Sequence, residues 1–402
     1  MLRGKKIVLG ISASIAAYKS AHLVRLLIKS GAEVKVVMTP ASIDFVTPLT
    51  LSTLSKNPVH SSFTQIGDEN AVWTNHVELG LWADLLLIAP ATSNTLAKMV
   101  TGTCDNLLLA TYMSAKCPVY VAPAMDLDMY QNPATQDNLA KLANMGHTIL
   151  EAEHGELASG LIGQGRMAEP EHIVAAIELS LKKAQPLFGK TVLVNAGPTY
   201  EMIDAVRFIG NFSTGKMGVA IAQKARLLGA DVTLVLGPTN APFNLEGMNV
   251  VRVTSADEMH KACLAAFEKA AYAILTAAVA DFKPKSTSTE KIKKGAASMQ
   301  LDLVPTVDVL ADLGSKKTAV QVLVGFALET NDELSNAREK LSRKNLDFIV
   351  LNSLRDAGAG FGHDTNKVTV ISRAGAQMDC TLMSKTDVAH EIWKIILDQT
   401  HA

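Results

Sequence analysis

The sequence predicts an α/β protein made of two doubly wound parallel-sheet (Rossmann-like) domains. Three observations carry the fold expectation. Short, wholly apolar runs recur, with helix-length amphipathic segments between them. The runs end in turns rich in Gly, Pro, Ser and Thr. The pattern stops near residues 182–189 and starts again, and 402 residues suffice for two such domains.

Residues 7–9 read as the first buried strand and residues 10–14 as its turn. Residues 16–29 carry Leu23, Leu26 and Leu27 at helical spacing, and Ser30-Gly31 ends that helix. The second strand spans 33–38 and stops at Thr39-Pro40. Later strands span 85–88, closed by Ala89-Pro90, and 119–122, closed by Pro123. In such sheets ligands sit at the carboxyl ends of strands. The first candidates are therefore Ser12 to Ser14, Thr39, Ala91 to Thr95, and Ala124 to Met129. Beyond the break, a strand over 191–195 runs into Gly197-Pro198-Thr199. A helix over 216–228 ends at Gly229, and strands follow over 231–236 and 348–351. The boundary is placed at residue 189, giving domains 1–189 and 190–402. Residues 283–298, KPKSTSTEKIKKGAAS, are polar and basic and read as a mobile loop over a site.

Lys and Arg number 38 against 39 Asp and Glu, a formal net charge of −1. That balance gives no global attraction to nucleic acid or an anionic membrane, so an anionic ligand must be met by local positive charge. Cys104, Cys117, Cys263 and Cys380 form no CxxC pair and no zinc spacing, and they fit a reducing cytosol. The opening MLRGKKIVLGISASIAAYK has the basic-then-apolar order of a leader, but Ser12, Ser14 and the helical continuation favour a strand and turn. No apolar run reaches the roughly 18 residues of a membrane span. The expectation is a cytoplasmic protein that acts on small molecules.

Gly210-Asn211-Phe212-Ser213-Thr214-Gly215-Lys216-Met217 nearly matches the phosphate-binding pattern GxxxxGK[ST]. Met217 cannot supply the hydroxyl that holds magnesium in that motif. What survives is a Gly-, Ser- and Thr-rich lead into a helix whose free N–H groups suit an anion. Lys291, Lys293 and Lys294 fall in the basic loop, while Lys340, Arg343 and Lys344 are spaced to share one helix face. Such runs are usually solvated faces. Two of them in a near-neutral chain point to a polyanion such as a nucleoside triphosphate. In the first half His76, within Asn75-His76-Val77-Glu78-Leu79, is a candidate base, although a lone histidine is more often structural. Residues 123–130, PAMDLDMY, follow a strand, and residues 160–166, GLIGQGR, are glycine-rich, which lets backbone approach a ligand.

Together these segments resemble the bifunctional flavoproteins of coenzyme A biosynthesis, in which phosphopantothenoylcysteine decarboxylase is fused to phosphopantothenate–cysteine ligase. The resemblance rests on the joint order of GISASIAAYK, NHVELGLWADLLLIAPATSNT, CDNLL, PAMDLDMY and GQGRM, followed by AGPTYEMIDAVRFIGNFSTGKMG, AAVADF, EKIKK, VGFALET and KNLDFIVLN. It implies an FMN-binding decarboxylase over 1–189, with a fold of the flavin-dependent cysteine decarboxylase type, and a CTP-dependent ligase over 190–402. FMN contacts would come from Ser14, Thr39, Thr92, Ser93, Asn94 and Thr95. His76 would be the essential histidine beside the flavin, and Met125 and Asp126 would meet the substrate. In the ligase half Asn211 would hold the acyl-cytidylate and Arg207 the substrate phosphate. Leu275, Thr276, Ala277 and Asp281 would face the cytidine, with Phe326 packed near the nucleotide. Thr306, Val307, Asp308 and Val309 would add nucleotide contacts, and Lys291, Lys340 and Lys344 would meet the triphosphate. The resemblance further implies Mg²⁺, no nucleic-acid or membrane partner, and a homo-oligomer of trimeric first domains and dimeric second domains, a dodecamer in full.

Two positions depart from that family's pattern. It has Asn where Asp126 stands; an amide donates a hydrogen bond to the substrate carboxylate, and an ionised Asp repels it. It has a proton-donating Cys where Ser159 stands, and a hydroxyl is a far weaker acid than a thiol. The sequence therefore also admits an active ligase joined to a flavin-binding first domain that is impaired in decarboxylation or kept for regulation.

Overall fold

The structure is a computed structural model that describes residues 1–64, 73–293, 299–329, 332–353 and 363–400. The chain divides into two compact units, Met1–Lys182 and Lys183–Ala402. In the first, six strands form one sheet: β1 (Lys6–Ile11), β2 (Glu33–Met38), β3 (Val59–His60), β4 (Leu85–Ala91), β5 (Val119–Pro123) and β6 (Thr148–Ile149). Their order is β3-β2-β1-β4-β5-β6 and every pair is parallel. The helices are α1 (Lys19–Lys29), α2 (Pro48–Ser55), α3 (His76–Trp82), α4 (Ser93–Thr101), α5 (Leu107–Ser114), α6 (Leu127–Gln131), α7 (Pro133–Asn144) and α8 (Pro170–Lys183). An antiparallel hairpin, β7 (Glu153–Glu156) and β8 (Ile162–Arg166), precedes α8.

The strands are apolar throughout because both faces of the sheet are covered. Ile7, Leu9, Ile11, Val34, Val36, Leu85 and Leu87 pack on one face with Leu23 and Leu27 of α1 and Ile173 and Ile177 of α8. Val8, Val37, Leu86 and Ile88 pack on the other with Leu96, Leu108, Leu139 and Leu142 of α4, α5 and α7. The helix expected over 16–29 is split. Ser14 is extended and its hydroxyl accepts from the Ala16 N–H, so residues Ile15–Tyr18 form a tighter 3₁₀ turn before α1 begins.

The second unit repeats the winding. Its strands are β9 (Thr191–Ala196), β10 (Tyr200–Met202), β11 (Phe208–Gly210), β12 (Asp231–Leu236), β13 (Asn249–Arg252), β14 (Tyr272–Leu275), β15 (Phe282–Pro284), β16 (Leu303–Pro305), β17 (Val322–Glu329), β18 (Phe348–Ser353), β19 (Thr365–Asn366), β20 (Val368–Ser372), β21 (Gln377–Asp379) and β22 (Met383–Ser384). The main sheet runs β13-β12-β9-β14-β17-β18-β20-β21. The first six strands are parallel, and β20 and β21 are added through antiparallel pairings, β18 with β20 and β20 with β21. Helices α9 (Lys216–Leu227) and α13 (Lys385–Thr400) cover one face, where the buried Trp393 donates its indole N–H to the Ile221 carbonyl at 3.0 Å. Helices α10 (Ala256–Phe267), α11 (Val309–Lys316) and α12 (Glu333–Arg343) cover the other.

The basic segment expected as a mobile loop is tethered along the part that is described. Its start forms β15, paired with β16. Further on, the Ile292 N–H donates to Asp204 at 3.2 Å and the Ser288 N–H to the Ile203 carbonyl at 3.1 Å. Lys294 of the basic run, and Thr330 of VGFALET, lie outside the described residues. Among the described residues no helix is long and apolar enough to cross a membrane.

Candidate functional site

In the first sheet the winding reverses between β1 and β4, and open α/β sheets bind ligands in the crevice at that point. Ser12 builds the crevice. It is buried, its hydroxyl donates to the Pro90 carbonyl at 2.8 Å, and it accepts from the Thr92 N–H at 3.0 Å. The ends of β1 and β4 are thereby tied together. A cavity of about 560 Å³ opens there, and Ser14, Thr39, Thr92, Ser93, Asn94 and Thr95 all line it. That volume lies within the usual range for ligand pockets.

Thr39 is 9% exposed, and its hydroxyl has no hydrogen-bond partner among the described residues. An unsatisfied buried hydroxyl is costly, so a bound group is the natural source of its partner. Thr92 caps α4 by accepting from the Thr95 N–H, and the helix start beside it suits a phosphate. The residues present therefore fit a phosphorylated, planar, polar cofactor such as a flavin nucleotide. Lys98, Asp105 and Asn106 also line the cavity, and only the CDNLL segment had hinted at the last two. A hydrogen bond from Lys98 holds the Asp105 carboxyl below its ordinary range.

A second chamber, about 520 Å³, shares the walls Ser14, Ala124 and Met125 with the first. Lys19, Asp126, Glu156 and Arg166 line it. Asp126 caps α6 and accepts from the Leu127 N–H at 2.6 Å. The Met125 N–H donates to the Gly165 carbonyl at 3.0 Å. Gly165 has φ +149°, and a Cβ there would lie 2.5 Å from the Met125 carbonyl oxygen, so the close approach requires glycine. Lys19, 5% exposed, donates to the Met167 carbonyl at 2.8 Å and to Glu169 at 3.0 Å, and Arg166 also pairs with Glu169. Burial alone would raise the Glu169 carboxyl, but hydrogen bonding and charge from Lys19 and Arg166 outweigh it and hold it low.

His76 opens α3, where Asn75 caps the helix by accepting from the N–H groups of Val77 and Glu78. Its ring meets those of Phe63 and Trp73 edge-on, at centroid distances of 5.9 and 6.4 Å. Its Nδ1 is buried without a partner among the described residues. His76 lines neither chamber of its own chain. Ser159 sits exposed in the turn of the β7–β8 hairpin and accepts from the Leu161 N–H at 3.4 Å; its neighbour Ala158, not Ser159, lines the second chamber.

In the second unit a pocket of about 140 Å³ lies at the carboxyl ends of β14, β17 and β18 and the start of α9. It is smaller than most ligand pockets and encloses one part of a ligand only. Thr276, Ala277 and Phe326 line it together with residues 213–218 of the glycine-rich segment. Lys385 and Asn366 also line it, and nothing in the sequence pointed to them. The buried Asn195 fixes the wall by accepting from the N–H groups of Thr276 at 2.7 Å and Ala277 at 2.9 Å.

The other expected nucleotide residues have varied placements. Asn211 is exposed, and its amide donates to the carbonyls of Ala278 at 3.3 Å and Val279 at 3.1 Å. Arg207 pairs with the buried Asp204 at 2.8 Å and donates to the Ile292 carbonyl at 2.6 Å. Lys340 donates to the Phe326 carbonyl at 3.1 Å; burial first, then the charge of Lys344, lowers its pKa. Lys344 pairs with Asp308 at 2.6 Å, whereas Arg343 is exposed against Glu339 at 3.7 Å, so the three cations do not act as one face. Leu275 and Val309, 6% and 4% exposed, have their side chains in the core, which leaves their backbone for a ligand. The Thr306 hydroxyl donates to the Ala280 carbonyl at 2.6 Å, and Asp281, Val307 and Lys291 are exposed. Among the described residues no group of three or more His, Cys, Asp or Glu could hold a metal ion.

Residues 1–182 match the family described as Flavoprotein, and residues 187–399 match the DNA/pantothenate metabolism flavoprotein C-terminal domain. Doubly wound sheets with ligand crevices at their carboxyl edges, matched along both units in this way, define a flavoprotein of pantothenate metabolism. The chain belongs to the family of coenzyme A biosynthesis bifunctional proteins. The relative from Bacillus subtilis (strain 168), named coenzyme A biosynthesis bifunctional protein CoaBC, is 43% identical over 98% of this chain and 96% of its own. A protein of an unknown prokaryotic organism, named cysteine/cysteine sulfinic acid decarboxylase, is 53% identical over 89% of this chain and 100% of its own. Among solved structures, the C-terminal domain of a CoaBC protein is 40% identical, with a TM-score of 0.46, over 54% of this chain and 99% of that chain.

Proposed function

We propose that this chain joins 4′-phosphopantothenate to cysteine at the expense of CTP and then decarboxylates the product, 4′-phospho-N-pantothenoylcysteine, to 4′-phosphopantetheine. The observation that carries this reading is that both family matches fall on one chain, each over a unit with its own carboxyl-edge crevice. The relative named as a decarboxylase of cysteine supports chemistry at a cysteine carboxylate.

FMN, when bound, would supply oxidation of the substrate thiol and return of the hydride. The chain's residues do the rest. Ser14, Thr39 and residues 92–95 would hold the cofactor, with the Thr39 hydroxyl gaining its missing partner. Asp126, Met125 and Arg166 would border the carboxylate that leaves. His76, as a base or positioning group, would act on a neighbouring copy, since its unpartnered Nδ1 lies away from the chambers of its own chain. That placement supports a trimer of first domains. Ser159 would have to relay a proton or leave that task to another group.

In the second unit Thr276, Ala277, Asp281, Phe326 and residues 306–309 would border the cytidine. Lys340, Lys344 and Lys291 would neutralise the triphosphate as pyrophosphate leaves. Asn211 would bind the acyl-cytidylate and Arg207 the substrate phosphate. Mg²⁺ would arrive with the triphosphate. The free cysteines support a reducing, cytoplasmic setting.

His76→Gln tests the reading. It should abolish carbon dioxide release from 4′-phospho-N-pantothenoylcysteine while leaving flavin binding and CMP formation unchanged. Loss of CMP formation as well would contradict it.

A further inference from the structure

The second chamber of the first unit is lined by two carboxylates, Asp126 and Glu156, and two cations, Lys19 and Arg166. Both cations are committed to the carboxylate of Glu169, which is not part of the lining. Lys19 spends a further donor on the Met167 carbonyl. Neither Asp126 nor Glu156 forms an ion pair among the described residues. Asp126 is held in place: one oxygen caps α6 through the Leu127 N–H, and the backbone before it is pinned to Gly165. As a carboxylate it can only accept hydrogen bonds.

An N-acylated cysteine brings a carboxylate and no cation to such a wall, and its own charge is repelled by Asp126. A free α-amino acid brings an ammonium beside its carboxylate. The ammonium has three donors for an acceptor such as Asp126, while Arg166 has five N–H donors and uses one on Glu169, which leaves it able to meet the carboxylate.

We propose that Asp126 is a specificity residue that admits free L-cysteine, recognised by its α-ammonium, as a second substrate of the decarboxylase unit. This rests on the decarboxylase reading given above. In the reaction the bond between Cα and the carboxylate breaks, carbon dioxide leaves, and a solvent-derived proton ends on that carbon. A bound flavin would take two electrons from the thiol and give them back within the same cycle. The product is cysteamine and no net oxidant is consumed.

The test compares the flavin-loaded full chain with its Asp126→Asn variant on L-cysteine and on 4′-phospho-N-pantothenoylcysteine. Asn caps a helix as well as Asp does, so the variant keeps α6. Carbon dioxide release from L-cysteine should fall at least tenfold in kcat/KM in the variant, while that from the acylated substrate should rise, because the repulsion of its carboxylate is removed. Calorimetry with L-serine, which has the same zwitterion and no thiol to oxidise, should register binding to the parent protein and not to the variant. No carbon dioxide from L-cysteine, with the acylated substrate still turned over, overturns the proposal. So does an equal effect of the substitution on both substrates. Turnover of neither substrate overturns the decarboxylase reading itself, and the proposal with it.

Discussion

Thr39 concentrates the argument for a cofactor in one atom. It follows β2 directly, it is buried, and its hydroxyl lacks a partner among the described residues. Thr39→Val keeps the shape and removes the orphan. Flavin affinity should drop roughly tenfold, about 1.4 kcal/mol, the scale of one hydrogen bond. The melting temperature of the cofactor-free protein should not fall. Fluorescence titration and a thermal melt measure the two effects. Lys340 supplies a prediction with a pH sign. Its ammonium is disfavoured by burial and by Lys344, so it loses its proton below the usual lysine range. A triphosphate beside it would favour the charged form and lift the pKa. Binding should therefore take up a proton at alkaline pH, between the free and bound pKa values, and weaken as pH rises through that window. Calorimetry of CTP binding in buffers of different ionisation heat measures the uptake; Lys340→Met should remove it. At this scale legibility depended on position. Thr39 and residues 92–95 were readable because they follow strands directly. Lys385 and Asn366 were not, because they reach the pocket from far along the chain and no local pattern marks them.

At the scale of elements, the central strands were legible because burial on both faces forces unbroken apolar runs. The 3₁₀ turn before α1 was not, since its sequence continues the helical spacing and only the Ser14 hydroxyl bond distinguishes it. The basic segment read as a loop from composition, yet Asp204 ties it to the chain before β11, a long-range bond that composition does not encode. Helix α9 gives the test of packing. A Cβ at Gly218 would lie 2.3 Å from the Thr276 hydroxyl and 2.6 Å from Ala196 Cβ. Gly218→Ala must push α9 off the strand ends, at a cost of about 1–3 kcal/mol by overpacking. Denaturant unfolding should show that loss, and CTP binding should weaken because residues 213–218 and Thr276 form the same wall.

For the whole molecule, two units with separate cores imply separable activities. Cutting the chain at residue 184, between the end of α8 and the Gln185 side chain that bonds to the Leu227 carbonyl, should give a first fragment that binds flavin and a second that forms CMP. Thiol chemistry should differ across the chain. Cys104 is exposed, whereas burial pushes the Cys263 thiol up to about 12 despite a hydrogen bond to Asn195. A disulfide reagent at neutral pH should label Cys104 quickly and spare Cys263 until the protein unfolds.

The most direct measurement incubates the flavin-loaded protein with 4′-phosphopantothenate, L-cysteine, CTP and Mg²⁺ and weighs the products by mass spectrometry. The account predicts 4′-phosphopantetheine at its full mass, with CMP, pyrophosphate and carbon dioxide in equal amounts. CMP formation that stops at 4′-phospho-N-pantothenoylcysteine, or a product lighter by two hydrogens, would contradict a complete decarboxylase in the first unit. The absence of CMP would contradict the ligase in the second.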